Sequence, residues 1–372
     1  MSAAGHPAET TPSDLRAAVE EAEFVRLVAA TDADSVAAAG LLADALDHRQ
    51  IPYQMSVTPL EQPAQRSTDT DLLVAVGRPV TGGDLTIGLD DAATRTAHTV
   101  ARELGAGDLP LALAGAVAAE GHPGDELATV ARQRGIERRP GVAVPTADPA
   151  DGLAHSTLVH APFSGRDDIG AELGVEIPPE PTEEDRRRLA SAVALSVAGD
   201  PAGVDRGSEA VERLLRPLAG GPFGTIGGYA DLLSAVAREQ SGLAVALALG
   251  RVDAERALDC WRRHGASAHE AIRTATTSRY DGLFVVQCSD PAPVCTVAEL
   301  VAAYRSPEPV VLAVDSDRAA VTTRAGDPVD FSEPLDVAAT TVDGTSGAAG
   351  RRGRAAFSGD ATEFVAAFTE AV

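Results

Sequence analysis

The sequence predicts an α/β protein: an N-terminal, mainly parallel sheet with flanking helices, then a helical connector, then a smaller C-terminal α/β domain. Three observations predict it. From Phe24 to about residue 120, short apolar strand patterns alternate with Ala-rich helical ones, the order that gives parallel sheets covered by helices. From Thr182 to about residue 279 the pattern is mostly helical. Strand character then returns before a closing helix. The expected divisions are a polar N-terminal segment at 1–22, an α/β domain at 23–180, the connector at 181–279 and the second α/β domain at 280–372.

The elements follow in order. SDLRAAVEEAE is a short acidic helix. FVRLVAA reads as a buried strand, and Ser35 begins an Ala/Leu-rich helix, SVAAAGLLADALDHR. PYQMSVT, DLLVAVG and DLTIGL are the next three strands, and Ala-rich helices follow near 91–104 and 109–119. Thr182 is placed to cap the first helix of the middle region. The helical stretch is interrupted by the Gly-rich AGGPFGTIGGYADLL. DGLFVVQ, PVVLAVD and AAVTTRA are the late strands, and ATEFVAAFTEAV is the last helix.

Composition narrows the setting. The chain has 372 residues and a formal net charge of -24, all 31 basic residues are Arg, and neither Lys nor Asn occurs. The acidic residues are spread along the whole length, which suits a cytoplasm at molar salt, where the screening length falls to about 3 Å and self-repulsion is damped. The acidity is thus an adaptation to solvent and not the mark of a basic partner. Cys260, Cys288 and Cys295 form no CxxC pair, so neither a zinc site nor a disulfide framework is expected. The polar N-terminus is not a signal peptide and no apolar run is long enough to span a membrane, so a soluble cytoplasmic protein without membrane partners is expected.

Four segments could carry chemistry. In LVAATDADSVAAAG a strand ends in Asp32 and Asp34 and turns into a helix, the place where parallel sheets bind ligands. Two carboxylates at alternate positions could hold Mn²⁺ or Mg²⁺; the alternative is that Asp34 or Ser35 caps the helix and Asp32 is solvated. His155 and His160 in LAHSTLVHAPFSG would face opposite sides if HSTLVH is one strand. Gly220, Gly221, Gly224, Gly227 and Gly228 could form a phosphate-cradling nest or a closely packed turn, without the Lys-Ser/Thr of a P-loop. Finally, Gly344 to Phe357 is a Gly-rich loop carrying Arg351, Arg352 and Arg354, fit to grip a nucleic-acid backbone.

In the order of these segments the chain resembles the archaeal RecJ-like DHH phosphoesterases. LVAATDADSVAAAGLLADAL resembles their first motif; GGYADLLSAVARE, SGLAVALALG, EPVVLAV and DGTSGAAGRRGRAAF agree in order, so the resemblance covers nearly all of the chain after residue 23. It implies a DHH-like first domain, a DHHA1-like nucleic-acid-binding second domain with contacts at Gly344, Ala348, Ala349, Gly350, Arg351, Arg352 and Arg354, and two-metal phosphodiester hydrolysis. The departures are specific. The second strand end, where an Asp is expected, offers Gly77 and Arg78. The Asp-His-His position offers Asp90 and Asp91 without an adjacent His, and His98 lies seven residues beyond Asp91. The last Asp is replaced at best by Glu120, and the Gly-Gly-His loop reads Asp343-Gly344-Thr345, although Ala348-Ala349-Gly350 is retained.

The expectation is therefore a nuclease-inactive, RecJ-like subunit in DNA replication, repair or nucleic-acid metabolism, binding single-stranded DNA or RNA or replication and repair proteins. The eukaryotic replicative-helicase subunit that descends from RecJ is the precedent within the resemblance. The alternative is an active Mn²⁺-dependent single-strand exonuclease or phosphodiesterase. It would use Asp32 and Asp34 with Asp90, Asp91, Glu120 or His155. A third reading keeps the cleft for a mononucleotide or another phosphate ligand.

Overall fold

A computed structural model describes residues 9–58, 72–80, 82–89, 91–178, 180–323 and 329–372. The chain divides into two compact units: one of residues 1–137, 220–222 and 229–257, the other of residues 138–219, 223–228 and 258–372. The middle helices therefore do not stand apart as a connector. Those within 229–257 pack into the first unit and the remainder belong to the second. The reason lies in their faces: residues such as Leu232, Leu233 and Val236 are fully buried and need an apolar partner.

The first unit is built on a four-stranded parallel sheet, β1 (Val25–Ala29), β2 (Tyr53–Val57), β3 (Leu72–Val76) and β4 (Leu85–Ile87), in the order β2-β1-β3-β4. Val25 pairs with both Tyr53 and Leu72, so β1 and β3 are central. β3 is apolar along its whole length and β1 is apolar except at Arg26, as central strands of a parallel sheet are. The crossover from β1 to β2 is the helix Ala33–Arg49, capped by Asp32 and ending at Gln50 in the left-handed region. It starts two residues before the expected Ser35. The helices Ala93–Glu103 and Leu109–Glu120 lie against it, and a further helix, Gly124–Gln133, was not expected. The helix Pro12–Glu21, capped by Thr11, buries Leu15 and Val19 in this unit, and the Thr10 amide donates to Thr86 O at 2.8 Å. Part of the segment set apart at 1–22 is thus integral to the first unit.

Two short strands, β5 (Glu137–Arg138) and β6 (Leu218–Ala219), precede the larger sheet of the second unit. That sheet contains β7 (Thr276–Tyr280), β8 (Leu283–Gln287), β9 (Val310–Val314), β10 (Arg318–Thr323), β11 (Thr345–Ala349) and β12 (Arg352–Ala356). Its order is β11-β12-β10-β9-β8-β7, antiparallel except for β8 and β9. Strand alternation separates two cores. Val285, Leu312, Val314 and Val321 face Phe331, Leu335, Phe364 and Phe368, whereas Val286, Val311, Ala313 and Ala320 face Val297 and Val301 of the helix Val294–Tyr304. The helix Glu183–Ala198 begins at Thr182, as expected, with a reciprocal capping box to Asp185. Among the described residues no helix is long and apolar enough to cross a membrane.

Candidate functional site

The strand end of β1 brings Asp32, Asp34, Ser35 and Gly77 together, and both carboxylates are engaged. Asp32 is the N-cap of its own helix: Oδ1 accepts from the Ser35 amide at 2.9 Å and Oδ2 from the Ser35 hydroxyl at 2.8 Å. Asp34 points the other way. Its oxygens accept from the amides of Ala93 (2.7 Å) and Thr94 (3.0 Å), while the Thr94 hydroxyl donates to Asp34 O at 3.1 Å. The helix Ala93–Glu103 has Ala92 at its cap position and no cap of its own, so Asp34 supplies one across the fold. Burial and the neighbouring Asp32 push the Asp34 carboxyl up to about 7, against the opposing effect of its hydrogen bonds. The alternative to metal binding had Asp34 or Ser35 cap the helix and left Asp32 solvated; Asp32 holds the cap position, with its backbone still extended (φ -136°).

Gly77 closes the second strand end. Its φ is +81°, and a Cβ there would lie 1.9 Å from Ser35 Oγ. The Asp32–Ser35 cap thus occupies the space that a strand-end acid would need. The adjacent Arg78 turns inward and donates from Nη2 to Thr58 Oγ1 at 2.7 Å.

The remaining expected ligands scatter. Asp90 lies outside the described residues, and Asp91 is exposed just before the helix Ala93–Glu103. Glu120 is held in an ion pair by Arg95, with His122 Nδ1 at 3.7 Å. His98 is buried on the helix Ala93–Glu103, and burial, with Arg102 nearby, lowers its proton affinity.

In the second unit His155 ends the helix Pro149–His155 instead of opening a strand, because Asp148 caps a helix there. Its Nδ1 lies 3.1 Å from Asp151 Oδ1, and Arg262 binds Asp151 from Nε and Nη2. His160 is buried and stacks on His269, a pair that sequence reasoning missed because the two are 109 residues apart. His269 Nε2 is 3.1 Å from the Ser156 carbonyl, so it carries the proton and Nδ1 accepts from His160 Nδ1 across 3.0 Å. Burial holds both rings neutral, His269 down to about 3, with Arg273, Arg305, His155 and His264 all opposing a further charge. The unfolded chain takes up protons near pH 6.5, which the folded pair refuses. Stability from this pair is therefore complete above about 6.5 and falls as pH drops below it. Imidazole NMR signals of both residues are expected to stay at neutral-ring positions down to pH 5.5 while the melting temperature declines; a titration midpoint near 6.5 in the folded protein would contradict the pairing.

The Gly-rich interruption is a packing device. The helix Ile226–Glu239 starts ahead of Gly227 and Gly228, and a Cβ on Gly228 would lie 2.1 Å from the Val144 carbonyl carbon. The segment from Gly344 to Phe357 is not a loop but the edge hairpin β11–β12, where Ala349 pairs with Arg352 around Gly350 and Arg351. Small residues with glycines hid its strands. Arg351 is exposed at the tip, Arg352 Nε is 3.1 Å from Glu299 Oε1, and Gly344 packs under Phe357. Asp290, Asp315 and Asp317 form the one convergent acidic group among the described residues. Asp315 there accepts from Arg318 Nη2 at 2.7 Å and from three backbone amides.

A helix-covered parallel sheet with a mixed second sheet defines an α/β protein with the fold of CDC45 from Entamoeba histolytica. That crystal structure matches at a TM-score of 0.56 and 8% identity, over 96% of this chain and 97% of that one. Exonuclease RecJ bound to manganese is similar at a TM-score of 0.49 and 15% identity, over 98% and 93% of the two chains. The family model described as "Uncharacterized protein rrnAC1427, C-terminal domain" matches residues 275–370, the part that holds the six-stranded sheet. Protein rrnAC1427 of Haloarcula marismortui is 51% identical over 381 residues, covering 100% of both chains, and this chain belongs to the rrnAC1427 family.

Proposed function

We propose that this protein is a nuclease-inactive, RecJ-like scaffold of nucleic-acid metabolism, which binds single-stranded nucleic acid or a replication or repair protein. One observation carries the reading: the second strand end is closed by Gly77 against the Ser35 hydroxyl. A two-metal centre needs several ligands around both ions. Asp32 and Asp34 instead have both oxygens committed to amides and a hydroxyl, Glu120 is paired with Arg95, and His155 lies in the other unit, bonded to Asp151. These residues do not fit a Mn²⁺ or Mg²⁺ pair. Binding falls to the arginine hairpin, where Arg351 is exposed at the tip beside Arg352 and Arg354.

The test is incubation of end-labelled single-stranded DNA and RNA in molar KCl with Mn²⁺, with anisotropy measured on the same oligonucleotides. The expected result is intact substrate and binding that weakens in an Arg351→Ser/Arg354→Ser variant, with a salt slope reduced by about 1 to 2. Degradation by the wild type would replace this reading with the Mn²⁺-dependent exonuclease. Intact substrate without binding would leave a protein partner as the target.

A further inference from the structure

A cavity of about 360 Å³ opens in the first unit between the helix Ala93–Glu103 and the start of the helix Gly124–Gln133. Arg95, His98 and Thr99 form one wall, spaced so that they share a helix face, and His122 to Leu127 form the other. The size lies within the ordinary range for small-molecule sites.

Its chemistry is rich in donors. The helix Gly124–Gln133 has Pro123 at its cap position and no side-chain cap, so its first-turn amides lack carbonyl partners and present the positive end of the helix. The Gly124 amide donates to His122 Nδ1 at 3.2 Å. The Arg95 guanidinium lies across Gly124, and a Cβ there would sit 3.0 Å from Nη2. The second observation is independent. His98 is 6% exposed and lines the cavity. Among the described residues no hydrogen bond reaches either of its ring nitrogens. Its ring nitrogens are not sealed from solvent, so on this wall they stand open to whatever fills the cavity.

We propose that this cavity binds a small phosphorylated metabolite, with the phosphoryl group at Arg95 and the open helix N-terminus, and the organic part against His98 and Thr99. The proposal goes beyond the scaffold reading and does not depend on it. A divalent cation fits less well: among the described residues, three convergent metal-binding groups occur only at Asp290, Asp315 and Asp317. Asp125 and Glu126 belong to the lining but are exposed, and Glu126 faces Arg102 Nη1 at 3.4 Å; Arg95 is paired with Glu120, which a phosphoryl group would displace or share. In molar salt the directional donors matter more than net charge.

Calorimetry and phosphorus NMR in molar KCl, with inorganic phosphate and a 5′-mononucleotide as probes, test it. At least one probe is expected to bind, and the Arg95→Gln/Glu120→Gln variant, which removes the ion pair as a unit, is expected to weaken it roughly tenfold, the worth of one charge-assisted bond. His98→Leu should weaken the mononucleotide more than phosphate. Tight binding of the mononucleotide alone would identify an ester as the ligand; equal binding would identify free phosphate. No binding of either probe at tens of millimolar would overturn the proposal. So would unchanged binding in both pocket variants, with their circular dichroism intact.

Discussion

An Asp34→Ala variant is expected to lose about 2–4 kcal/mol of stability, because it strands the amides of Ala93 and Thr94 inside the protein. The helix Ala93–Glu103 has no other cap, and Ala93 and Thr94 are fully buried. The loss should depend on pH in a specific sense. The folded carboxyl titrates near 7 against 3.8 for the free group, so the folded chain holds the proton more firmly. The stability this brings is present below about 4, declines as pH rises, and is gone above 7. The penalty of the substitution should therefore be larger at pH 5 than at pH 8, read from denaturant midpoints in high salt. An equal penalty at both values would mean that Asp34 is ionised throughout and acts only as an ordinary cap.

Gly77→Asp restores the acid that the RecJ-like resemblance places at the second strand end, and it is expected to destabilise by about 3–5 kcal/mol without producing a nuclease. Two effects add. A side chain at φ +81° is strained by about 1–2 kcal/mol. Its Cβ would also displace the Ser35 hydroxyl and with it the cap on Asp32. The double variant Gly77→Asp/Ser35→Gly should recover part of the loss, since the two residues share one space. Wild-type stability in Gly77→Asp, together with Mn²⁺-dependent cleavage, would show instead that the strand end is free to rebuild a metal site.

Much of the fold was legible because it is written locally. The mainly apolar strand 25–29, the apolar run 72–76, the Ala-rich helices and the Thr182 cap all declare themselves within a few residues. The Asp-x-Asp at 32 and 34 was equally plain, as was the absence of an acid at Gly77. Its use was not. Asp34 meets its partners 59 and 60 residues away, and Ser35 meets Gly77 across the sheet. No window of sequence contains such a pairing. The edge strand Thr345–Ala349 was hidden for a different reason: it has no alternation of large apolar and polar side chains, and its register comes from Arg352–Ala356 beside it. HSTLVH misled because Asp148 lies outside the segment that looks like a strand.

The assignment of residues 229–257 to the first unit has a consequence for how the chain is made. As the protein emerges from the ribosome, its N-terminal strands must wait for a segment more than a hundred residues further on before their packing is complete. The second unit is likewise split around that segment, so it cannot close before the C-terminal sheet appears. Neither unit is a contiguous piece that synthesis can finish and set aside, as strings of simple domains allow. Cuts at 137 or 180 would leave apolar faces such as that of Leu232 and Val236 without their cover, and such fragments should aggregate where the whole chain folds.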